Sequence, residues 1–356
     1  MGSSTNSIAA SARPSPAAAT PASIADDPAA ATIRPVRAAA ERPDWQLAGL
    51  RYYQYGFALR KRFGQRVQKV SLDAGLTCPN VDGTVATGGC TFCDNRSFSP
   101  SRRLPRSTIA AQLDEGIRLL KRRYRVERFL AYFQPATNTY APVERLHRLY
   151  DEAVADPRVV GLAIGTRPDC VPDDVLDLLA RFAQRTYLSV EYGLQTIHDR
   201  SLEWMNRGHG YAAFTDAVAR SRGRGFEICA HVILGLPGES RDDMLATADE
   251  LARLEIDSVK IHNLYVVRNT PLAEQFAAGR VRLLERDEFA TLLVEFLERL
   301  PPECLVERIS GDAPSDYFVA PRWCLDKVAL RAAVEREFAR RDTWQGRAYA
   351  AADRGR

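Results

Sequence analysis

Hydrophobic and polar positions alternate in two patterns along this chain from residue 67 onward. Short runs rich in β-branched and aromatic residues predict six strands, at Val67–Asp73, Arg128–Phe133, Val159–Ile164, Tyr187–Tyr192, Phe226–Leu234 and Asp257–Val266. Amphipathic stretches predict six helices, at Thr108–Tyr124, Val143–Ala155, Asp173–Ala183, Tyr211–Arg222, Arg241–Leu254 and Arg286–Leu300. In the first helix Ile109, Leu113 and Ile117 recur every four residues, which places them on one apolar face.

Six strand–helix units in succession predict a parallel sheet with right-handed crossover connections. Six units are too few for a complete eight-fold barrel, so the expected α/β fold is a partial (β/α)6 barrel of the TIM type. In such folds the chemistry takes place at the carboxyl ends of the strands. We therefore expect the functional residues in the loops that follow the strands.

Polar residues and glycines follow every predicted strand. They are Cys78, Cys90 and Cys93 after the first strand, Gln134, Thr137 and Asn138 after the second, Thr166, Arg167 and Asp169 after the third, Glu191 and Gln195 at the end of the fourth, Gly235 to Gly238 after the fifth, and Asn263 and Arg268 around the end of the sixth. Because the carboxyl ends of parallel strands meet at one rim, we predict that these residues surround one site.

The first 44 residues differ in composition from the rest. Most are Ala, Pro, Ser or Thr, so we predict a disordered tail over residues 1–44, without the basic start and apolar run of a secretory signal. Residues 45–300 are expected to form the core domain, and residues 301–356 a C-terminal extension that packs on it. No apolar stretch approaches the ~18 residues of a membrane-spanning helix, which excludes a membrane protein.

The seven cysteines comprise one close group, Cys78, Cys90 and Cys93, and four scattered residues. This distribution is typical of a metal site in a reducing compartment, and it predicts a cytoplasmic protein. Thiolates suit zinc or an iron–sulfur cluster. With three protein ligands, a metal centre keeps one position open for a small molecule. A zinc site completed by a distant residue is the alternative at this point.

Seven segments in chain order resemble one known family. They are GLTCPNVDGTVATGGCTFC, AYFQPATNTYAP, GTRPDC, VEYGLQTIHDRSLEWMNRGH, HVILGLPGES, KIHNLYVVRNTPL and RDTWQGR. Three cysteines after the first strand of a six-unit barrel, with Phe92 before the third, resemble the radical S-adenosylmethionine (radical SAM) superfamily. Its usual spacing is C-x3-C-x2-C, whereas eleven residues separate Cys78 from Cys90 here. That long interval is similar to the branch containing the Elongator catalytic subunit and the YhcC/YtqA proteins.

The resemblance implies two cofactors, a [4Fe–4S] cluster and S-adenosylmethionine (SAM). Cys78, Cys90 and Cys93 would ligate the cluster, and reductive cleavage of SAM would give a 5′-deoxyadenosyl radical that abstracts a substrate hydrogen. The residues expected at SAM are Phe92 through its backbone at the adenine, Gln134, Thr137 and Asn138 at the amino group, Gln195 at the ribose, Arg207 at the carboxylate, and Glu191 and His231 on the same rim. The implied electron donor is a flavodoxin- or ferredoxin-type protein.

Two basic stretches indicate a class of substrate. Arg51, Arg60, Lys61, Arg62, Arg66 and Lys69 alternate with five aromatic residues and no acidic one, and Arg96, Arg102, Arg103 and Arg106 follow the cysteine group. Such residues suit the phosphates and unpaired bases of nucleic acid. The first stretch runs directly into the first strand and the cysteine loop, so we expect it near the site. The resemblance implies the wobble uridine of tRNA, a base in an already single-stranded loop.

Two alternatives stay open. Net charge is only +4, so the basic stretches could simply be solvated and the radical SAM enzyme could act on a small metabolite. The other alternative is a zinc-stabilised binding module without radical chemistry. Bound iron would distinguish an enzyme from the module, and salt-sensitive tRNA binding would distinguish the two kinds of substrate.

Overall fold

Seven parallel strands form the main sheet of the computed structural model, which describes residues 42–98 and 107–349. They are β1 (Val67–Leu72), β2 (Arg128–Phe133), β3 (Val159–Thr166), β4 (Tyr187–Gln195), β5 (Glu227–Leu234), β6 (Ser258–Asn263) and β8 (Leu305–Arg308), side by side in that order. Two short strands, β7 (Val266–Val267) and β9 (Phe318–Ala320), form a separate antiparallel pair. The predicted partial barrel is confirmed.

Helices lie between the strands and pack against the sheet. Within the described residues they are α1 (Asp44–Leu47), α2 (Tyr55–Phe63), α3 (Asn95–Phe98), α4 (Ile109–Tyr124), α5 (Val143–Val154), α6 (Asp173–Ala183), α7 (Asp199–Trp204), α8 (Tyr211–Ser221), α9 (Arg241–Arg253), α10 (Pro271–Ala277), α11 (Arg286–Arg299) and α12 (Lys327–Arg340). Thr108 caps α4, and Ser240 with Asp243 forms a capping box at α9. None of these helices is long and apolar enough to cross a bilayer.

The sequence pattern does not predict β8. This strand is four residues long, follows Pro301 and Pro302, and carries the charged residues Glu307 and Arg308, so it lacks a recognisable apolar run. It pairs with β6 at the edge of the sheet. The predicted domain boundary at residue 300 stays a prediction. The predicted tail lies outside the described residues except for positions 42–44, and Asp44 begins α1.

Helix α2 closes the amino-terminal end of the barrel. At its last turn the ring of Phe63 packs edge-on against Tyr187, with centroids 5.9 Å apart. Beside it Arg62 forms an ion pair with Glu227 at 2.6 Å. Tyr187 and Glu227 are the first residues of β4 and β5. This end of the helix therefore lies at the amino ends of the strands, opposite the rim that carries the cysteines.

Candidate active site

Three free thiols lie in the loop between β1 and α3. Cys90 is buried, and Cys78 and Cys93 are half-buried. Burial raises the pKa of the Cys93 thiol, and its neighbours Cys90 and Cys78 raise that pKa further. The backbone N–H of Cys93 donates to the carbonyl of Cys90 at 3.0 Å, so this pair shares one turn. The fold thus brings the three thiols within electrostatic range of one another.

The segment after α7 holds the cysteine loop in place. Asn206 has a φ of 51°, and its Nδ2 donates to the carbonyls of Thr87 and Gly89 at 3.0 and 2.8 Å. In the opposite direction, the fully buried Asn80 donates to the carbonyls of Asn206 and Arg207 at 2.6 and 2.9 Å. Asparagine suits position 206 because its short polar side chain tolerates the left-handed region and bonds to nearby backbone.

A glycine and an ion pair complete this contact. Gly208 has a φ of +70°, and a Cβ at this position would lie 2.5 Å from Asn80 Oδ1. Arg167 is bidentate on Asp169, at 2.9 and 2.7 Å, and it donates Nη1 to the carbonyl of Arg207 at 2.7 Å. The backbone that follows α7 is therefore fixed on two sides, by the cysteine loop and by the loop after β3.

Arg207 lies between the cysteine loop and β4. Its Nη1 donates to the Cys90 sulfur at 3.4 Å, and its Nη2 donates to the carbonyl of Gly193 at 2.7 Å. Its Nε is buried and has no hydrogen-bond partner within the described residues. A Cβ at Gly193 would lie 2.5 Å from Arg207 Nη2 and 2.9 Å from Gln195 Nε2. Glycine is therefore required for Arg207 and Gln195 to lie side by side over β4.

The donor set fits an iron–sulfur cluster better than a single metal ion. One zinc ion requires all its sulfur ligands at about 2.3 Å. In the part of the chain that the structure describes, no three His, Cys, Asp or Glu side chains are arranged to hold one ion. Thiolates that each bind a different iron are free of this requirement. Nitrogen donors from Asn80 and Arg207, at 3.5 and 3.4 Å from the Cys90 sulfur, suit a thiolate ligand. These donors therefore fit the cluster that the resemblance implies.

A cavity of about 510 Å³ opens inside the barrel beside this loop. Four residues predicted to bind SAM line it, namely Phe92, Gln134, Gln195 and His231. Its wall also contains five residues that the sequence pattern did not predict, which are Tyr132, Lys260, His262, Tyr265 and Arg308. The residues predicted to bind SAM and these five further residues thus line the same cavity.

Thr137 and Asn138 lie in the loop after β2 and do not line this cavity. The backbone N–H of Thr137 donates to the carbonyl of Thr77 at 3.2 Å, which ties this loop to the cysteine loop. The Asn138 amide donates to the carbonyls of Pro135 and Gly165 at 3.1 and 2.9 Å, and so joins the ends of β2 and β3. Its Oδ1 is buried without a partner among the described residues. The predicted contact of both side chains with SAM stays a prediction.

Glu191 has a different place from the one expected at the rim. The carboxylate is fully buried in the middle of β4, with Lys69 and Lys260 both at 2.6 Å and His231 at 2.7 Å. Lys69 also pairs with Glu307 of β8 at 2.5 Å. Burial disfavours the carboxylate, but the two lysines hold the pKa of Glu191 well below its usual range. A carboxylate held in this way can position the side chains of the cavity wall, and the predicted place of Glu191 among the residues at SAM stays a prediction.

Two neutral histidines face this network. Burial, together with the charge of Lys260, lowers the pKa of His231 to about 4. Its Nε2 is 2.7 Å from Glu191, so Nε2 is the donor and Nδ1 is left as an acceptor for a hydroxyl. Burial and Arg308 lower the pKa of His262 well below its usual value. The Nε2 of His262 has no hydrogen-bond partner within the described residues.

A simple sequence signal would have found this network. Lys69, Lys260 and His262 lie inside predicted strands, and charged residues are rare inside buried parallel strands. Lys260 and His262 are two positions apart and so face the same side of β6. Lys260 Nζ bonds to Tyr132 OH at 2.7 Å across the barrel. Charged residues within predicted strands therefore indicate a polar barrel interior.

The basic–aromatic segment, residues 51–69, is not near the cysteines. The rings of Tyr52 and Phe63 pack against core aromatic residues, so they are not free to stack on bases. Lys61 and Arg62 form ion pairs with carboxylates. Since Tyr55–Phe63 of this segment forms α2, which closes the amino end of the barrel, the expected proximity to the site is wrong.

One arginine of the second basic stretch lies within the described residues. Arg96 is exposed in α3, close after Cys93, and bonds to the carboxylate of Asp94 at 3.1 Å. The other arginines of that stretch, Arg102, Arg103 and Arg106, lie outside the described residues. The positive charge that the structure places beside the cysteine loop therefore includes Arg96 and Arg207.

Two protein-family profiles match the chain. The Radical SAM superfamily matches residues 83–251, and the Radical SAM C-terminal domain matches residues 256–340. YtqA of Bacillus subtilis is 40% identical over 299 residues, which cover 84% of this chain and 93% of YtqA. YhcC of Escherichia coli K12 is 41% identical over 271 residues, which cover 76% of this chain and 86% of YhcC.

One solved structure shares the fold over most of this chain. It is the archaeal Methanocaldococcus infernus Elp3, with a TM-score of 0.59 and 18% sequence identity. The similarity covers 78% of this chain and 64% of the archaeal chain. At this level of identity it is evidence for the partial barrel itself.

Proposed function

Because this chain belongs to the radical SAM superfamily and is a radical SAM enzyme similar to YtqA and YhcC, we propose that it modifies the side chain of the wobble uridine in tRNA. The resemblance of the cysteine spacing to the Elongator branch supports the choice of base. The observation that carries the proposal is the cavity inside the barrel, directly beside the cysteine loop.

The residues present fit the two implied cofactors. We propose that Cys78, Cys90 and Cys93 hold the [4Fe–4S] cluster and that Arg207 and Gln195 hold SAM. When bound, the two groups supply a 5′-deoxyadenosyl radical that removes a hydrogen atom from the substrate. Arg207 offers a buried, unpartnered Nε for a carboxylate, and Gln195 offers an amide for ribose hydroxyls.

Other residues of the cavity complete this proposed binding of SAM. The neutral imidazole of His231 offers Nδ1 as an acceptor, and Gln134 and Phe92 line the same space. Because α2 closes the opposite end of the barrel, the reacting atoms would be approached from the cysteine rim. Thr137 and Asn138 would contribute indirectly, because their hydrogen bonds hold the loop that carries Gln134.

The walls of the cavity suit an unpaired base. Phe92, Tyr132 and Tyr265 line it together with amide and imidazole groups. Enzymes that act on a base take it out of its stack into a pocket with such aromatic and hydrogen-bonding groups. The wobble base lies in a single-stranded loop, so unstacking it costs little free energy.

We propose a flavodoxin- or ferredoxin-type protein as the electron donor. The four cysteines outside the loop, namely Cys170, Cys229, Cys304 and Cys324, are buried single thiols and not a second cluster-binding group. Among the described residues they offer no ligand set for a relay cluster, so the proposed donor would pass its electron directly to the cluster at the cysteine loop.

Comparison of tRNA nucleosides from cells with and without the gene tests the function. We expect one modified wobble nucleoside to disappear and its precursor to accumulate in the deletion strain. A plasmid with the parent gene should restore it, and so should Cys229→Ala, whose substitution lies inside β5. Cys90→Ala should not restore it. Identical nucleoside profiles in all strains would contradict the tRNA proposal.

A small metabolite is the second candidate substrate. The location of α2 favours it, because the basic–aromatic segment lies at the far end of the barrel with Tyr52 and Phe63 packed inward. If protein that carries its cluster binds no tRNA at any salt concentration, that result would favour a small metabolite.

A further inference from the structure

One wall of the barrel cavity carries an uncompensated positive charge. Lys260 and Arg308 are cations of this wall in the described part of the chain, and Lys69 lies next to Lys260 at Glu191. Glu191 and Glu307 are the carboxylates that contact the two lysines. Both carboxylates are within 2.6 Å of a lysine. The two lysine charges are therefore balanced, whereas the charge of Arg308 is not.

Arg308 is placed to face a ligand. It is the last residue of β8 and lies in register with Lys260 of β6, and both side chains line the cavity. Lys260 bonds to Glu191 and to Tyr132. The side chain of Arg308 makes neither a hydrogen bond nor an ion pair with the residues that the structure describes. Its guanidinium fork is thus available to an anion.

The groups around Arg308 do not supply this anion. Asp312 also lines the cavity, but its carboxylate pairs with Lys327 at 3.3 Å. His262, two positions beyond Lys260, lines the same wall, and its Nε2 has no partner in the described part of the chain. A neutral imidazole has one N–H to donate, so His262 can add a second donor beside the guanidinium.

We propose that Arg308 and His262 form a subsite for an oxyanion of the substrate, either a carboxylate on the side chain of the base or a phosphate of the RNA backbone. A planar guanidinium matches both groups and gains most where water is excluded. The SAM carboxylate is assigned to Arg207, which lies at Cys90 on the β4 side of the cavity. This subsite rests on the proposed function only in taking RNA as the carrier of the anion.

Two RNA probes that differ by one charge test the subsite. Each is an anticodon stem–loop, with a wobble uridine that bears a 5-carboxymethyl group or the neutral 5-carbamoylmethyl group of the same shape. Binding is measured to the parent holoprotein with cluster and SAM. For a carboxylate subsite we expect about a tenfold preference for the acid. Arg308→Gln should abolish this preference, and Arg308→Lys should keep part of it.

If the oxyanion is a phosphate of the RNA backbone, the same experiment gives a different result. The parent would bind the two RNAs equally, and Arg308→Gln would weaken both, with a log–log salt slope shallower by about 0.7–0.9. Arg299→Gln is the matched control, because it removes one positive charge from an ion pair with Asp249 on the surface of α11. This control should bind both RNAs as the parent does.

The remaining outcomes separate the subsite from the tRNA proposal. If the parent binds neither RNA but prefers free 5-carboxymethyluridine to its amide, and Arg308→Gln removes that preference, the tRNA proposal fails and the subsite stands. The subsite is overturned if Arg308→Gln, with parent iron content, binds every probe as the parent does. It is also overturned if this variant loses only affinity for SAM, or if the parent shows no dependence on anionic groups.

Discussion

At the scale of single residues, Cys90 gives the clearest test of the cluster site. Cys90→Ala is expected to bind no cluster, because the loss of one of three thiolates leaves a second iron without a protein ligand. Iron and sulfide content after anaerobic reconstitution measures this. Cys90 is a better choice than Cys78, since the buried Cys170 thiol lies within electrostatic range of Cys78. A full cluster in Cys90→Ala would contradict the assignment.

The matched cysteine control lies away from the loop. Cys304 is 3% exposed and directly precedes β8. Cys304→Ala should keep the iron content of the parent and lose only packing, roughly 1–2 kcal/mol of unfolding free energy. A urea titration of the two variants under the same anaerobic conditions separates loss of the cluster from loss of stability.

Gly193 gives a second prediction at this scale. Gly193→Ala introduces a Cβ 2.5 Å from Arg207 Nη2 and 2.9 Å from Gln195 Nε2, so both side chains must move. We expect SAM affinity to fall at least about tenfold, which corresponds to the loss of one charge-assisted hydrogen bond. The iron content should stay that of the parent. Gly56→Ala is the control, because its Cβ meets nothing within 4 Å. Unchanged SAM binding by Gly193→Ala would mean that neither side chain contacts SAM.

The sequence predicts the cysteine ligands of the cluster but not the long-range contacts around them. The cysteine spacing is sufficient to propose three ligands, because a C-x2-C pair forms one turn without help from the rest of the chain. The bond from Arg207 to Cys90 joins residues 117 positions apart, and it depends on Gly193 from a third segment. A local sequence pattern carries no information about such a contact. The resemblance therefore predicts Arg207 as a SAM ligand but not its contacts with Cys90 and Gly193.

At the scale of secondary-structure elements, the network across β1, β4, β5 and β6 makes stability depend on pH. Burial and Lys260 hold the pKa of His231 at about 4, whereas the unfolded chain has the ordinary histidine value of about 6.5. The unfolded state therefore binds more protons between these values. The stability from the neutral His231 is fully present above pH 6.5 and is lost as the pH falls towards 4.

His231→Gln tests this dependence. Glutamine keeps a donor to Glu191 but does not titrate, so the variant should lose less stability than the parent between pH 6.5 and 5, by up to about 1.4 kcal/mol per pH unit. Urea titrations at pH 7.5, 6.5, 5.5 and 5 measure the difference. His147→Gln, on the exposed face of α5, is the control for the loss of an imidazole. Parallel curves for the parent and His231→Gln would contradict the buried, neutral assignment.

Elements with a strong apolar pattern are the ones that the sequence predicts. The predicted strand at Arg128–Phe133 and the helix at Asp173–Ala183 have the observed bounds, because each buries several side chains at its own regular period. The short, charged β8 has no such pattern, and its pairing with β6 is a tertiary contact. Helix α2 has a weak pattern of its own, so only its packing against β4 and β5 shows which end of the barrel it closes.

At the scale of the whole molecule, the barrel has two chemically different ends. The carboxyl rim carries the cysteine loop and opens into the cavity, and exposed Arg96 and Arg268 lie on that side. The amino end is closed by α2, where Arg60 and Arg66 face a second groove next to β8 that Arg308 also lines. A substrate that reacts in the cavity must therefore bind at the carboxyl rim, whatever the charge at the other end.

Two double variants with the same change of charge test which end binds RNA. Arg96→Glu/Arg268→Glu at the carboxyl rim should weaken binding of an anticodon stem–loop and make the log–log salt slope shallower by about 0.7–0.9 for each phosphate that the protein no longer binds. Arg60→Glu/Arg66→Glu at the amino end should bind within about twofold of the parent, since neither arginine lines the cavity. Iron content and circular dichroism confirm that both variants fold. If the amino-end variant alone lost affinity, RNA would bind at the closed end of the barrel, and the cavity would then be left for a small metabolite.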